Sequence, residues 1–309
     1  MARSIQSSPV HGISPVLLTP FTADGAVDEE SFVRMVDHVF SLGVESVMFP
    51  GFASEVLALS EAERDRLLQL LLERAQAERN TTVIASVPEY GTYHAVRRAG
   101  ALTQAGAGAV NVLPPHQLVP PAEAVLAHLE AVLQAAAPAA VIVQYAPAQA
   151  ETALDIHTMT ELAVRHENLV AVKVESQPPG RMTAALLECE PPLPSLVGYG
   201  GVQMLDALAR GAVGVQPGCS FTELYLAVWG RWESGDDDGA RTLHQRMLPY
   251  LAYWMQDVSL IVAAEKLIAH RRGLIDTDVC RGPARPLDEH ERAMVDRFCE
   301  EFAEFLEVR

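Results

Sequence analysis

The sequence contains very little lysine. Of its 23 basic residues only Lys173 and Lys266 are lysines, against 40 acidic residues and a formal net charge of −17. A surface with this charge repels phosphate groups, which argues against nucleic acids and membranes as partners. Arginine stays protonated, whereas a desolvated lysine amine can lose its proton and attack a carbonyl. The two lysines are therefore the first candidates for chemistry, with a compositional bias towards arginine as the alternative explanation.

Several other signatures are missing. The four cysteines lack CxxC spacing, which indicates neither a zinc site nor a disulfide framework and favours a reduced, cytoplasmic protein. No run of about 18 apolar residues predicts a membrane span, and the N-terminal residues lack the apolar core of a signal peptide. The sequence also has no HExxH motif, no phosphate-binding glycine loop and no GxSxG elbow. These absences argue against a metal site, a nucleotide-dependent oxidoreductase and a serine hydrolase.

Short apolar runs alternate with longer amphipathic stretches along the chain. The runs cover residues 13–18, 44–50, 81–87, 108–114, 139–145, 168–174, 194–200 and 211–217. Their hydrophobicity is continuous rather than alternating, which is typical of parallel strands buried on both faces. A helical pattern follows each run, so the sequence predicts an α/β fold, a (β/α)8 TIM barrel. A doubly wound open sheet is the alternative, and the absence of a GxGxxG fingerprint weakens it.

More helix follows the eighth repeat. Helical patterns cover residues 236–254, 257–272 and 288–308, and Gly273 is placed to cap the second of them. We predict a barrel over residues 1–233 and a C-terminal helical extension of the same domain over residues 234–309.

The sixth apolar run ends in three residues that can carry chemistry: Lys173, Glu175 and Ser176. A lysine in a buried strand is unfavourable unless it is paired or functional. Its neutral amine is the form that makes a Schiff base with a keto acid. A structural pair with Glu175 is an equally good interpretation. Lys266 lies beside Glu265 in a helical pattern, where we expect a partly exposed side chain without a role in the chemistry.

Other strand ends carry weaker candidates. Tyr145 ends the fifth run, where its hydroxyl can pass protons, although a buried structural tyrosine is the commoner case. After the second run, the backbone N–H groups that follow Gly51 and the Ser54 hydroxyl can bind a carboxylate, unless this is an ordinary turn. We expect Glu55 to brace that loop. His116, after the fourth run, can titrate near neutrality.

The order of these motifs resembles the dihydrodipicolinate synthase/N-acetylneuraminate lyase superfamily over most of the chain. The matching motifs are GISPVLLTPFTADGAVD, GFASE followed by LSEAER, the tyrosine of QYAP, the lysine of VAVKVES, and GYGG with GAVGVQPG. The resemblance implies that Lys173 forms a Schiff base with a 2-keto acid such as pyruvate and that Tyr145 relays protons. It also implies a homotetramer that needs no metal and no organic cofactor.

Further site residues come from the same resemblance. It implies that the backbone and hydroxyl at Ala53 and Ser54 hold the carboxylate of the keto acid. The substrate-binding residues that we assign on this basis are Gly51, Phe52, Ala53, Ser54, His116, Gly200 and Gly201.

The sequence also departs from the family pattern. The GFASE loop lacks two hydroxyls at their usual places, PPH replaces a tyrosine pair after the fourth run, and no arginine lies in the segment APAQAETALD that follows Tyr145. This variant pattern is similar to family members that dehydrate 2-keto-3-deoxy sugar acids. We therefore predict dehydration or retro-aldol cleavage of such an acid through a Lys173 iminium, with Glu175, Ser176 or His116 protonating a departing hydroxyl. Pyruvate condensation, as in dihydrodipicolinate synthases, and a non-catalytic keto-acid-binding protein are the alternatives.

Overall fold

The structure is a computed structural model. It describes residues 10–78, 81–115, 118, 120–147 and 154–306. The internal contacts of the chain define two compact units. The first unit is formed by the described residues of Met1–Ser14 and Thr82–Gln216, and the second unit by those of Pro15–Thr81 and Pro217–Arg309.

Each predicted apolar run contains a strand or lies directly beside one. The strands are β1 (Gly12–Ile13), β2 (Ser46–Phe49), β3 (Thr82–Val87), β4 (Ala109–Val112), β5 (Ala140–Tyr145), β6 (Leu169–Val174), β7 (Ser195–Val197) and β8 (Gly214–Val215). In the first unit, neighbouring strands pair in parallel in the order β1–β8–β7–β6–β5–β4–β3. The second unit contains β2, and Val16 pairs with Met48 of that strand. The eight parallel strands and the helices that alternate with them are those of a (β/α)8 barrel, which confirms the predicted fold.

Helices follow the strands as the sequence predicts. They are α1 (Glu29–Ser41), α2 (Glu61–Glu78), α3 (Thr92–Gln104), α4 (Ala122–Ala136), α5 (Ile156–Arg165), α6 (Pro179–Leu187), α7 (Met204–Ala209), α8 (Thr222–Glu233), α9 (Asp237–Trp254), α10 (Val258–Arg271) and α11 (Glu289–Glu301). The last three form the expected C-terminal helical region, while the domain boundary between residues 233 and 234 stays a prediction. In the part of the chain that is described, none of the helices has the length and apolar character needed to cross a bilayer.

Local sequence signals fix several helix ends. Before α2, the backbone N–H of Ser60 donates to Glu63 Oε2 at 2.8 Å, and the Glu63 N–H donates to Ser60 Oγ at 3.2 Å. This is a capping box, a reciprocal cap that satisfies two backbone donors that a helix start leaves free. After α10, Gly273 has φ +68°, and the next N–H donates to Ala269 O at 2.9 Å. A glycine in this left-handed conformation ends a helix without steric strain, as predicted.

Polar side chains interrupt the apolar interior of four neighbouring strands of the first unit. Ser86 on β3, Asn111 on β4, Gln144 on β5 and Lys173 on β6 are all buried. A buried polar group is unfavourable unless it finds a hydrogen-bonding partner. The barrel therefore brings together a set of side chains that must satisfy one another.

Candidate active site

Lys173 lies near the carboxyl end of β6, where its side chain is 4% exposed. Its Nζ is 3.5 Å from Oε1 of Glu175, which follows two residues later on the same side of the strand. The backbone N–H of Glu175 donates to Tyr145 O at 2.8 Å and so extends the β5–β6 ladder past the end of β6. The lysine is therefore buried and paired with Glu175, as the interpretation of Lys173 as a structural ion pair predicts. The same pairing is compatible with a functional amine.

A line of hydrogen bonds reaches Glu175 from the neighbouring strands. Gln144 Nε2 donates to Glu175 Oε2 at 2.6 Å. Asn111 Nδ2 donates to Gln144 Oε1 at 3.0 Å and to Ser86 Oγ at 3.4 Å. Glu175 is consequently held through both oxygens, by Lys173 on one side and by the Gln144 amide on the other. Sequence analysis missed Gln144, Asn111 and Ser86, although each is a polar residue in an otherwise apolar strand.

The strand register separates Gln144 from Tyr145. Gln144 pairs with Lys173, whereas Tyr145 pairs with Val174, which is fully buried in the core. Successive side chains of a strand point to opposite faces. Gln144 therefore emerges on the face of Lys173, and Tyr145 emerges on the other face. A proton relay through the Tyr145 hydroxyl stays a prediction, and the register does not favour it.

A glycine after β7 makes room for Glu175. A Cβ atom on Gly198 would lie 2.3 Å from Glu175 Oε1, far inside van der Waals contact. The next three residues, Tyr199, Gly200 and Gly201, all have positive φ angles of 56°, 59° and 68°. Glycine adopts this conformation readily, so the turn itself accounts for Gly200 and Gly201 of the GYGG motif. Tyrosine seldom adopts it, so Tyr199 is an unusual residue at this position. A substrate-binding role of Gly200 and Gly201 stays a prediction.

Two further predicted residues follow strand ends. Ser176 comes directly after Glu175, and its enclosed Oγ has no hydrogen-bond partner among the described residues. His116 lies outside the described residues, so its assignment to the site stays a prediction. Within the described ranges, no group of three or more His, Cys, Asp or Glu side chains is placed to hold a metal ion.

The loop after β2 belongs to the second unit, and hydrogen bonds of its Ser54 side chain stabilise it. The Ser54 hydroxyl is fully buried, donates to Leu17 O and accepts from the Gly51 N–H at 2.9 Å. Gly51 is required here because a Cβ would lie 2.6 Å from Val16 Cγ1. The hydroxyl that sequence analysis offered to a substrate carboxylate is thus used within the loop. A carboxylate-binding role of this loop would rest on backbone groups of Phe52 and Ala53, and it stays a prediction.

Glu55 braces the same loop, as its sequence context suggests. It has φ 54°, forms an ion pair with Lys266, and accepts from the Arg281 N–H at 2.8 Å through Oε2. Lys266 Nζ also donates to Val279 O at 2.7 Å and lies 4.1 Å from the centre of the Phe21 ring. These contacts hold the cation, while burial lowers the pKa of Lys266.

The expectation that Lys266 is partly exposed is therefore wrong, because its side chain is fully buried. The physical reason is that α10 is enclosed on nearly all sides, and an unbroken series of its residues from Val262 to Ala269 is buried. The run LIVAAEKLIA carries this signal, since a helix that is apolar all round belongs inside the protein.

A (β/α)8 barrel with a buried lysine near the end of its sixth strand and a carboxylate beside it defines a class I, Schiff-base-forming lyase. The chain belongs to the dihydrodipicolinate synthetase family, whose family model matches residues 9–301. It is 30% identical to the 4-hydroxy-tetrahydrodipicolinate synthase of Acidothermus cellulolyticus, across 100% of this chain and 99% of that relative. A Streptomyces coelicolor protein named 4-hydroxy-tetrahydrodipicolinate synthase 2 is 29% identical across 80% of this chain and 81% of its own.

Solved structures share the fold. The crystal structure of dihydrodipicolinate synthase from Rhodopseudomonas palustris matches 97% of this chain and 99% of its own with a TM-score of 0.86 and 23% identity. YagE from E. coli K12, solved in complex with pyruvate, matches 95% and 98% with a TM-score of 0.86 and 22% identity. The chain is thus an enzyme of this family. These two curated relatives are named as synthases, and the closer similarity to sugar-acid dehydratases that the variant motifs suggest stays a prediction.

Proposed function

We propose that Lys173 forms a Schiff base with a small 2-keto acid and that Glu175 moves protons at the carbon next to the iminium. The observation that carries this proposal is the geometry of Glu175. One of its oxygens lies 3.5 Å from Lys173 Nζ, and the other is held by Gln144 at 2.6 Å. A carboxylate fixed beside the reacting nitrogen is within reach of the substrate carbon that must lose a proton.

The chemistry follows from this arrangement. Lys173 Nζ bonds to the keto carbon, C2, and the keto oxygen leaves as water, which yields an iminium. Glu175 then takes a proton from C3. The electrons of that C–H bond form a C2=C3 double bond, while the C=N electron pair returns to nitrogen. The resulting enamine is the common intermediate of the reactions considered for this enzyme.

The first candidate reaction is condensation of the pyruvate enamine with an aldehyde or imine carbon. It is supported by the relatives named 4-hydroxy-tetrahydrodipicolinate synthase, the first of which is similar to this chain over its full length. In this reaction C3 bonds to the second substrate, and the iminium forms again before water releases the product. The segment APAQAETALD that follows Tyr145 contains no arginine. This argues for a second substrate unlike that of the dihydrodipicolinate synthases of lysine biosynthesis.

The second candidate is dehydration or retro-aldol cleavage of a 2-keto-3-deoxy sugar acid. It is favoured by the Glu175 carboxylate beside the lysine, because one group can take a proton from C3 and return it to a hydroxyl at C4. As that hydroxyl leaves as water, the C2=C3 electrons form C3=C4 and nitrogen restores the iminium. For retro-aldol cleavage of the iminium, the same carboxylate takes the proton of the C4 hydroxyl, and the O–H electrons form the C4=O bond of the departing aldehyde. The C3–C4 electrons form C2=C3 while the C=N pair returns to nitrogen. Return of the proton to C3 and hydrolysis by water then release pyruvate from Lys173.

Product analysis by NMR separates these reactions. The enzyme is incubated with pyruvate and a panel of aldehydes, and separately with 2-keto-3-deoxy pentonates and hexonates. Pyruvate consumed only in the presence of an aldehyde supports condensation. Loss of water from the deoxy acid supports dehydration, and release of pyruvate supports retro-aldol cleavage. Absence of turnover together with absence of hydrogen exchange at C3 of pyruvate would contradict the proposal.

Two properties implied by the resemblance complete the proposal. The partner is a small-molecule 2-keto acid, and the enzyme assembles as a homotetramer. The cytoplasmic location that we also propose rests on the cysteine pattern instead. Light scattering on the purified enzyme tests the assembly, and a monomer in solution would contradict it.

A further inference from the structure

We propose that Asn111 is a positioning residue, which fixes the side-chain amide of Gln144 in the orientation that donates to Glu175. This inference rests on the proposed function, in which Glu175 is the proton-transfer group. Asn111 does not touch Glu175 or Lys173 through any of the hydrogen bonds described above; it acts through Gln144.

The direction of the hydrogen bonds follows from charge. A glutamine amide has a donor end and an acceptor end, whereas an ionised carboxylate can only accept. The end of Gln144 that lies 2.6 Å from Glu175 Oε2 must therefore be Nε2, and its Oε1 must find a donor elsewhere. Asn111 Nδ2 supplies that donor at 3.0 Å. The reverse orientation of Gln144 would set two acceptor oxygens against each other.

The sheet fixes Asn111 in this place. Asn111 pairs with Ile142 in the β4–β5 register, so Gln144 lies two residues further along on the same face. On its other side Asn111 pairs with Ser86, whose Oγ accepts from Nδ2 at 3.4 Å. All three side chains are buried, so bulk water does not compete for Gln144 Oε1. If the Asn111 amide is removed, bulk water therefore does not replace the hydrogen bond that it donates to Gln144 Oε1.

The acceptor atom of the Asn111 side chain, Oδ1, bears on the choice of a test variant. Its Oδ1 has no hydrogen-bond partner among the described residues. A leucine of similar shape at this position removes the donor to Gln144 without stranding a partner of Oδ1. The replacement also removes the 3.4 Å hydrogen bond to Ser86 Oγ, so the stability of the variant is measured together with its rate.

The consequence concerns proton transfer and not Schiff-base formation. Without Asn111, Gln144 can rotate its amide away from the orientation in which Nε2 donates to Glu175 Oε2. Glu175 then loses the hydrogen bond that fixes its carboxylate beside Lys173. We expect Asn111→Leu to slow proton removal about 10- to 100-fold, the range for losing the hydrogen bond that Gln144 donates to this charged group. The lysine amine still reacts with the keto acid.

Exchange of the C3 hydrogens of pyruvate in deuterated water, followed by NMR, measures this step whatever the second substrate is. The variants are Asn111→Leu, Gln144→Leu and the double variant. If Asn111 acts only through Gln144, the double variant exchanges at the rate of Gln144→Leu alone. Ser195→Ala is the matched control, because Ser195 is buried on β7 and its Oγ bonds to Thr183 at 3.2 Å, outside this line. It should exchange at the wild-type rate.

Borohydride trapping with pyruvate accompanies each measurement and should label Lys173 in every variant. Slow exchange with intact trapping supports the inference. Asn111→Leu at the wild-type rate, or a double variant slower than Gln144→Leu by the full Asn111→Leu factor, would overturn it and leave the proposed function standing. A wild-type enzyme that neither traps nor exchanges would instead overturn the proposed function. If Asn111→Leu does not fold, Asn111→Ala takes its place, and failure of both to fold while Ser195→Ala folds makes Asn111 a structural residue.

Discussion

Gln144 and Lys173 stand side by side in the register of β5 and β6, and Tyr145 stands beside Val174. This one-residue difference decides which side chain of β5 shares a face with the lysine. It places the amide of Gln144 next to Lys173 and Glu175. The family resemblance implies instead that the next residue, Tyr145, relays protons. The amide binds the carboxylate at 2.6 Å, and the carboxylate lies beside the amine. This geometry is the reason why we propose Glu175, and not Tyr145, as the proton-transfer group.

Two substitutions compare the alternative proton carriers. We expect Tyr145→Phe to leave turnover within a few-fold of the wild type, because the alternation of side chains along β5 puts residue 145 on the face opposite to that of Gln144 and Lys173. We expect Glu175→Gln to lower turnover on the order of 10²- to 10⁴-fold, which is typical of losing a general acid–base group. Steady-state kinetics on the two purified variants provides the test. The opposite ranking would return the relay to Tyr145.

Gly198→Ala should disturb the carboxylate without touching the lysine. The added methyl would meet Glu175 Oε1 at 2.3 Å, so the side chain must move away. We expect turnover to fall at least ten-fold, an effect of misplacing a proton-transfer group, while Lys173 is still trapped by borohydride with pyruvate. Gly230→Ala is the control, since nothing lies within 4 Å of its added Cβ. Equal turnover of the two alanine variants would count against the placement of Glu175.

Much of this architecture is visible in the sequence, and the gaps have physical causes. Continuous apolar runs predict the strands, and the Ser60 and Gly273 caps fix their helix ends. Gln144 and Asn111 were missed because their partners are set by the strand register, which no local pattern reveals. Ser54 was given a free hydroxyl because the carbonyl of Leu17 that it binds lies on a distant segment.

The ion pair between Lys266 and Glu55 should contribute to stability, and no local sequence pattern reveals it because its two residues are far apart in the chain. Removing the Lys266 amine leaves the Glu55 carboxylate, which is only 10% exposed, without its cation. We expect Lys266→Met to lower the free energy of unfolding by about 3–5 kcal/mol, the range for breaking one half of a buried ion pair. Adding Glu55→Gln should recover part of the loss, since the uncompensated charge is then gone. Urea unfolding measures both variants, and a Lys266→Met protein as stable as the wild type would refute the expectation.

Glu265 predicts a pH dependence of stability. Burial raises the pKa of Glu265 to about 7 from 4.5, although the Ser220 hydroxyl and N–H and the charge of Arg272 oppose the shift. The folded protein then binds a proton between these values that the unfolded chain does not. Its contribution to stability is fully present below about pH 4.5 and is lost as the pH rises through about 7.

Glu265→Gln removes this dependence. The unfolding free energy of the wild type relative to Glu265→Gln should fall by up to about 3 kcal/mol between about pH 5 and about pH 8, the equivalent of the pKa shift. Urea unfolding at the two pH values gives the difference directly. A difference that is the same at both would show that Glu265 does not change its protonation on unfolding in this range.

The central claim, that Lys173 is the Schiff-base lysine, is tested most directly by borohydride reduction in the presence of pyruvate and peptide mass spectrometry. The chain has only two lysines, so Lys266 is an internal control that its complete burial should protect. The account predicts an adduct on the Lys173 peptide, none on the Lys266 peptide, and none at all in Lys173→Arg. A folded enzyme that yields no adduct, or an adduct that persists in Lys173→Arg, would contradict it.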